Sequence, residues 1–277
     1  TPFKGQRLAL YLENSIDWLL IDLASAMAGI SVIPIPLHFS EQQRQHLLED
    51  AGIQIIATSQ ALSKDIRCTP IGVINCTQVI ISSYHCSEKH KSLPPNTAKI
   101  TYTSGSTGNP KGVCLSFKAI DQVTEALASA LKPSDLKNHL CLLPFSTLLE
   151  NIAGIYRPLI HGKTVITDRV TNLGFSSNDQ FDSEIFVKEA GEIRADSVIL
   201  LPQMLKSILE YCADNPAATS TLKNIKFMAV GGGKVSEKLL QDSQEIGLAV
   251  YEGYGLSECG SVISLNVPGT NKTGSVG

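Results

Sequence analysis

The sequence predicts an α/β fold built on mostly parallel strands, and three observations carry that prediction. Short apolar runs rich in Ile, Val and Leu alternate with longer segments of helical periodicity. The helical segments are punctuated where helices start and stop, with Ser or Asn before them and Gly after. The alternation continues to about Tyr254, which is the pattern that places helices between parallel strands of one sheet.

The elements follow in order. "RLALYL" is a short apolar strand. In "NSIDWLLIDLASAMAG" the residues Ile16, Leu19, Leu20, Leu23, Met27 and Ala28 recur at helical spacing and define the expected buried face. Asn14 is its predicted N-cap and Gly29 its stop. "ISVIPIPL" is the next strand, and its prolines favour an edge position. "SEQQRQHLLEDAG" opens with Ser40 and Gln43 at capping-box spacing and ends at Gly52. "IQIIAT" is another buried strand. Beyond it the pattern weakens: "IGVINC" and "TQVIISS" are strand candidates, and "SEKHKSLPPNT" is a polar linker. A subdomain boundary is expected there, giving a first subdomain over 1–95 and a second over 96–277. "AKITYTS" and "KGVCLS" are then strands, followed by the amphipathic helix "SFKAIDQVTEALASALK" capped by Ser116. "ADSVILLP", "IKFMAVGGG" and "GLAVYEGYG" are buried strands, with "PQMLKSILEYCAD" and "SEKLLQDSQEIG" as helices between them.

The totals exclude several classes. The 277 residues are 43% hydrophobic and 18% charged, with a formal net charge of −3. This balance suits a globular core and gives no electrostatic reason to expect nucleic acid or an anionic membrane as partner. The longest apolar stretch, "WLLIDLASAMAGISVIPIPL", is interrupted by Asp22 and ends in prolines, so it reads as a helix and a strand with no transmembrane segment. The N-terminus lacks the layout of a signal peptide and starts without Met, as an excised or processed piece would. The seven cysteines (Cys68, Cys76, Cys86, Cys114, Cys141, Cys212 and Cys259) contain no C-x-x-C pair, which points to reduced thiols in a cytoplasm. His85, Cys86 and His90 cluster at a spacing that matches no common zinc pattern, and a polar surface loop is expected there.

Chemistry is concentrated in "YTSGSTGNPKGV", residues 102–113. Its glycines free the backbone N–H groups to turn toward an anion, its hydroxyls add donors, and Lys111 adds a point charge. The segment is not a P-loop, because Pro110 stands where that motif needs glycine and Gly112 follows the lysine. It also lies between two strands rather than at a helix start. On composition alone a flexible turn rich in Ser, Thr and Gly is the favoured reading.

The segment matches, nearly residue for residue, the signature of the adenylate-forming superfamily, which includes acyl-CoA synthetases, firefly-type luciferases and peptide-synthetase adenylation domains. Two further segments resemble that family in the expected order: "VGGGKVS" (230–236) is similar to its S-G-G-A-P-L segment, and "YEGYGLSE" (251–258) to its E-G-Y-G-x-T-E segment. The resemblance covers essentially the whole chain. It implies stacked, mostly parallel sheets flanked by helices in two α/β subdomains, with the active site at their junction.

The resemblance also implies roles. Thr103, Ser104, Gly105, Ser106, Thr107, Gly108 and Lys111 match the loop that grips the β- and γ-phosphates of ATP, with Thr103 and Lys111 taking part in catalysis. Gly231, Gly232 and Gly233 match a turn along the adenine and acyl group, where a side chain would block a flat ring; Gly233 and Lys234 replace a common Ala-Pro. Tyr254 matches the ring that stacks on adenine, and Gly255 permits close backbone approach. Ser257 replaces a threonine whose hydroxyl meets the α-phosphate, and Glu258 matches the carboxylate that holds Mg²⁺. "LLPFSTLLEN" is similar to L-P-L-S-H-x-x-E, with Thr147 in place of the histidine that borders the acyl pocket.

In the family, "NKTGSVG" would be followed by a ribose-binding aspartate, a hinge and a small C-terminal lid domain carrying a catalytic lysine. The chain is therefore expected to be the large N-terminal part of an enzyme, weak or inactive alone. The expected parent activity is ATP-dependent ligation of a carboxylic acid to CoA through an acyl-adenylate. Two alternatives stand beside it: loading of the acyl group onto a carrier-protein phosphopantetheine, and a non-catalytic nucleotide-binding domain.

Overall fold

The computed structural model describes residues 3–59, 66, 68–74, 79–84, 92–103, 110–131, 136–175 and 180–277. The chain divides into two units, the first formed by 1–120 with 145–147 and the second by 121–144 with 148–277.

The first unit carries a seven-stranded sheet. Its strands are β1 (Arg7–Tyr11), β2 (Ser31–Pro34), β3 (Ile55–Ser59), β4 (Thr69–Ile74), β5 (Val79–Ser83), β6 (Thr97–Thr103) and β7 (Lys111–Ser116), in the spatial order β4-β5-β3-β1-β2-β6-β7. The run β3-β1-β2-β6 is parallel, and β5, β4 and β7 join antiparallel. The helix α2 (Glu41–Asp50) sends Leu47 and Leu48 into a core with Ile33, Ile56 and Ile100. Each such leucine contributes about 1.5–3 kcal/mol by leaving water. The capping box at Ser40 and Gln43 is present in both directions, at 3.2 and 2.9 Å.

Helix α1 (Ile16–Ala28) departs from expectation in its face and its cap. Trp18, Asp22 and Ser25 are buried, while Ile16, Leu20 and Met27 are exposed, Met27 at 90%. The inward face is chosen by polar and aromatic partners. Lys99 on β6 reaches both Asp22 carboxylate oxygens at 2.8 and 2.9 Å, and the Trp18 ring meets Phe145 edge-on at 5.4 Å. A buried charge pair of this quality tolerates burial because each ion neutralises the other. The N-cap is Ser15, whose hydroxyl accepts from the Trp18 N–H at 3.2 Å, and Asn14 instead accepts from the distant Phe145 N–H at 2.8 Å. Gly29 ends the helix in the left-handed region, as expected.

Two further expectations are corrected. β2 is internal to the sheet, not an edge strand; its ladder to β6 is a single pair, Val32 with Lys99, so Pro34 lies beyond the bonds that it could not donate to. And β6 and β7, expected in a second subdomain after the polar linker, complete the first sheet. β6 joins the first sheet because β2 leaves an edge that it fills. The His85, Cys86 and His90 cluster lies outside the described residues.

The second unit carries a six-stranded sheet, in the order β13-β12-β11-β10-β8-β9. Its strands are β8 (Asn138–Leu140), β9 (Thr164–Ile166), β10 (Ser197–Leu200), β11 (Phe227–Val230), β12 (Val250–Leu256) and β13 (Ser261–Leu265). All neighbours are parallel except the hairpin β12–β13. Helices α5 (Ser183–Ile193), α6 (Pro202–Asp214), α7 (Pro216–Leu222) and α8 (Glu237–Glu245) are joined by the short α4 (Arg157–Ile160), and α3 (Phe117–Ala130) follows β7 with Ser116 as its cap. Phe186, Leu205, Ile208, Met228 and Val198 centre a core in which each is fully buried. A π-helix over Glu150–Tyr156 precedes α4. The two sheets, mostly parallel and flanked by helices, bear out the predicted fold class. Among the described residues no helix is long and apolar enough to cross a membrane.

Candidate active site

The glycine-rich segment closes a hairpin. β6 and β7 pair antiparallel, and their last rung sets Thr103 opposite Lys111. Lys111 is exposed and, among the described residues, has no ion-pair or hydrogen-bond partner for its ammonium. Ser104, Gly105, Ser106, Thr107 and Gly108 fall outside the described residues. The expectation that the segment lies between two strands is met at both of its ends.

In the second unit, β11 ends in the turn at Gly231–Gly233, and Ser236 then caps α8 by accepting from the Leu239 N–H at 3.2 Å. The glycines here answer first to the protein itself. A Cβ on Gly231 would sit 3.0 Å from the Gly253 carbonyl oxygen of β12, and Gly232 has φ +76° with Leu201 Cδ2 2.9 Å from where a Cβ would stand. Gly233 is different: its nearest neighbour, Pro202, lies at an ordinary 3.6 Å, so this turn residue presents open backbone. Lys234 follows it, exposed.

β12 continues past β11 into the hairpin with β13, and its register shifts between Tyr254 and Gly255. A Cβ on Gly255 would overlap the Ser261 carbonyl oxygen, which gives this glycine an internal steric reason beyond the ligand approach expected of it. Tyr254 stands beside this irregularity and is 45% exposed. Ser257 and Glu258 lie on a single 3₁₀ turn ending at Cys259. Glu258 is exposed, and among the described residues no cation or donor meets its carboxylate. An exposed aromatic face, an open glycine turn and an unengaged carboxylate thus share the ends of adjacent strands of this sheet, where open α/β sheets bind ligands. Partial burial pushes the neighbouring Glu252 carboxyl up, and the charge of Glu237 adds to the effect.

A polar cluster that the sequence reading missed lies deeper in this unit. His139 on β8 places Nε2 3.0 Å from Glu150 Oε1 and Nδ1 2.9 Å from the Ser197 hydroxyl. Glu150 Oε2 accepts from the Leu143 N–H at 2.9 Å, and the Cys141 thiol donates to the Gly154 carbonyl at 3.7 Å. His139, Cys141 and Glu150 offer three ligand atoms within 4.8 Å of one another, a set that could hold a metal ion. The set already bonds within the protein: the two ring nitrogens of His139 share hydrogen bonds with Glu150 and Ser197, with donor and acceptor roles set by the tautomer. Burial drives the Cys141 thiol well up, and the charge and hydrogen bond of Glu150 reinforce this, so the thiol is kept protonated. The cluster braces Leu143, one residue before Pro144. Its signal in the sequence was Glu150 in "LLPFSTLLEN", but its partner His139 lies in an apolar run that gave no chemical cue. Thr147 is exposed.

Comparison with known proteins completes the picture. The 2-succinylbenzoate–CoA ligase of Bacillus subtilis is 26% identical over 266 residues, which are 95% of this chain and 51% of that protein. The nonribosomal peptide synthetase cm3A of Cordyceps militaris is 23% identical across 95% of this chain and 6% of its own length. The chain thus spans about half the length of the ligase relative. In fold, the O-succinylbenzoate coenzyme A synthetase of Bacillus subtilis solved with ATP and magnesium ion superposes with a TM-score of 0.74 at 22% identity, covering 99% of this chain and 55% of that one. A malonyl-CoA ligase ternary product complex with methylmalonyl-CoA and AMP gives 0.76 at 20% identity, covering 98% and 56%. The family profile described as AMP-binding enzyme matches residues 3–277. The chain belongs to the AMP-binding enzyme family.

Proposed function

We propose that the protein containing this chain activates a carboxylic acid with ATP and Mg²⁺ as an acyl-adenylate, and then transfers the acyl group to the thiol of CoA. The observation that carries this reading is the arrangement at the ends of β11 and β12: an open glycine turn beside an exposed Tyr254 ring and an unengaged Glu258 carboxylate. An adenine needs a flat, sterically open backbone and an aromatic face, and a phosphate-bound Mg²⁺ needs a free hard oxygen ligand. Related structures that contain ATP with magnesium, or AMP with a CoA thioester, support the same assignment.

In the first half-reaction a carboxylate oxygen attacks the α-phosphorus, and the bond to the bridging oxygen of the β-phosphate breaks. Pyrophosphate departs with the electron pair. Mg²⁺ supplies charge neutralisation at the phosphate oxygens, and Glu258 is the residue that would hold it. Lys111 and Thr103, paired at the mouth of the β6–β7 hairpin, serve the departing pyrophosphate together with Ser104, Gly105, Ser106, Thr107 and Gly108. Tyr254 and Gly231–Gly233 hold the adenine, Gly255 keeps the β12 backbone close to it, and Ser257 donates toward the α-phosphate. In the second half-reaction the thiolate sulfur attacks the acyl carbon and AMP leaves. Thr147 borders the acid.

A second reading delivers the acyl group to the phosphopantetheine arm of a carrier protein, and the similarity to a nonribosomal peptide synthetase favours keeping it. The same experiment separates the two. Full-length protein is assayed for pyrophosphate release across carboxylic acids of different length, with CoA, with a holo-carrier protein, or with neither. Acid-dependent release with thioester formation on CoA supports the proposal. Thioester on the carrier alone favours the second reading, and no acid-dependent release refutes both.

A further inference from the structure

The β6–β7 hairpin is gripped from outside its own sheet by one helix. Tyr102, the residue before Thr103, donates its hydroxyl to Asp50 Oδ2 at 2.8 Å. Pro110, the residue before Lys111, has its carbonyl oxygen 3.1 Å from His46 Nε2. His46 and Asp50 are one turn apart on α2 and therefore share a face. They reach the two strands at the points where the hairpin ladder ends.

Each contact does what the ladder cannot. Proline has no N–H, so the carbonyl is the one backbone group through which Pro110 can be fixed, and Pro110 is buried. On the other strand, the Tyr102 ring lies against Gly112: a Cβ there would come within 3.0 Å of Tyr102 Cζ and 2.9 Å of Ile100 Cγ2. The tyrosine is thus wedged between Asp50 and the facing strand. Burial pushes its hydroxyl well up, and the Asp50 hydrogen bond adds to this, so it stays a donor. Helix α2 is a firm support, being fixed by its capping box, by Leu47 and Leu48 in the core, and by Arg44 donating to the Phe39 carbonyl at 2.7 Å.

We propose that α2 is the brace of the phosphate-binding hairpin, with His46 and Asp50 as positioning residues that set Lys111 and Thr103 for the pyrophosphate portion of ATP. The inference rests on the reading of this segment as a phosphate grip. Its physical basis is that a group serving a leaving polyanion contributes most when it is held in place before the substrate arrives.

The test uses full-length protein with His46→Leu, which removes the donor, His46→Gln, which keeps an N–H, and Tyr102→Phe, which removes the hydroxyl. In unliganded protein, hydrogen exchange over 99–103 and 111–116 is expected to quicken in the Leu and Phe variants and to stay near wild type in the Gln variant. In acid-dependent ATP–pyrophosphate exchange, KM for ATP is expected to rise about three- to tenfold in the Leu and Phe variants, the scale of one hydrogen bond. KM for the acid should stay unchanged, and His46→Gln should restore the ATP value. Equal KM for ATP in all variants, or equal rises for ATP and acid, would overturn the positioning role. Unchanged hydrogen exchange in an active protein would overturn the brace alone. A wild-type protein without exchange activity would refute the phosphate-grip reading and leave the hydrogen-exchange arm to judge the brace.

Discussion

Replacing Gly154 with alanine should destabilise this protein, against the usual sign for a glycine within a helix. In an exposed helix the change gains about 1 kcal/mol from propensity. Here Gly154 lies in the π-helix directly over the buried cluster, and a Cβ would overlap Glu150 Oε1 and stand 2.7 Å from His139 Nε2. The carboxylate must move, and with it go the bonds to His139 at 3.0 Å and to the Leu143 N–H at 2.9 Å. Hydrogen bonds to a charged group are worth about 1.5–3 kcal/mol each, so losing two, less the propensity gain, costs about 2–5 kcal/mol. For a chain of 277 residues that lowers Tm by about 3–9 °C. Calorimetry or urea titration would measure it. The mechanism makes a sharper demand: in a Glu150→Ala background the overlap with the carboxylate is gone and only the His139 ring has to give way, so Gly154→Ala should there cost clearly less than in wild type. A neutral or stabilising Gly154→Ala, or effects that simply add in the double variant, would refute the reasoning.

Other expectations follow from the same kind of geometry. Asp22→Ala leaves the buried Lys99 ammonium without its carboxylate and should cost about 3–5 kcal/mol, whereas Asp22→Leu with Lys99→Met should cost much less; urea midpoints of the two variants against wild type decide this. Asp196 is subject to opposing influences: burial raises its carboxyl, but the Lys226 hydrogen bond and the N–H groups of Asn138 and Lys137 outweigh it and hold it below the usual range. A carboxyl depressed in the folded state stabilises above its unfolded value, near pH 4, and that stability is lost as pH falls through the folded one. Asp196→Asn should therefore lower Tm at pH 7, and the gap to wild type should close as the pH drops below about 4.

Local signals made much of this fold legible. The capping box at Ser40 and Gln43, the stop at Gly29 and the cap at Ser116 all came from contacts within a few residues, and all are present. What failed depended on distant partners. The inward face of α1 is set by Lys99, 77 residues beyond Asp22, and no periodicity within the helix could show that an aspartate rather than Leu20 faces the core. Asn14 looked like a cap because its use by Phe145, 131 residues on, is invisible locally. Strands β8 and β9 have three residues each, too few for alternation to register, and β8 carries the buried His139. At the candidate site the glycine segments announced themselves by composition, and the fold gives two of these glycines a further reason. Gly255 answers to the Ser261 carbonyl and Gly231 to that of Gly253, so their smallness is demanded by strand packing before any ligand arrives. The contacts of His46 and Asp50 with Pro110 and Tyr102 were hidden for the same reason as Lys99: residues far apart in sequence meet only in the fold.

The proposed function requires that Lys111 and Glu258 each serve Mg²⁺–ATP during acid activation. Titration calorimetry of full-length protein with ATP, with and without Mg²⁺, tests it most directly in wild type, Lys111→Ala and Glu258→Gln. Wild type should bind ATP more tightly with Mg²⁺, Glu258→Gln should abolish this Mg²⁺ dependence, and Lys111→Ala should weaken binding whether or not Mg²⁺ is present. Wild-type affinity and Mg²⁺ dependence in both variants would contradict it.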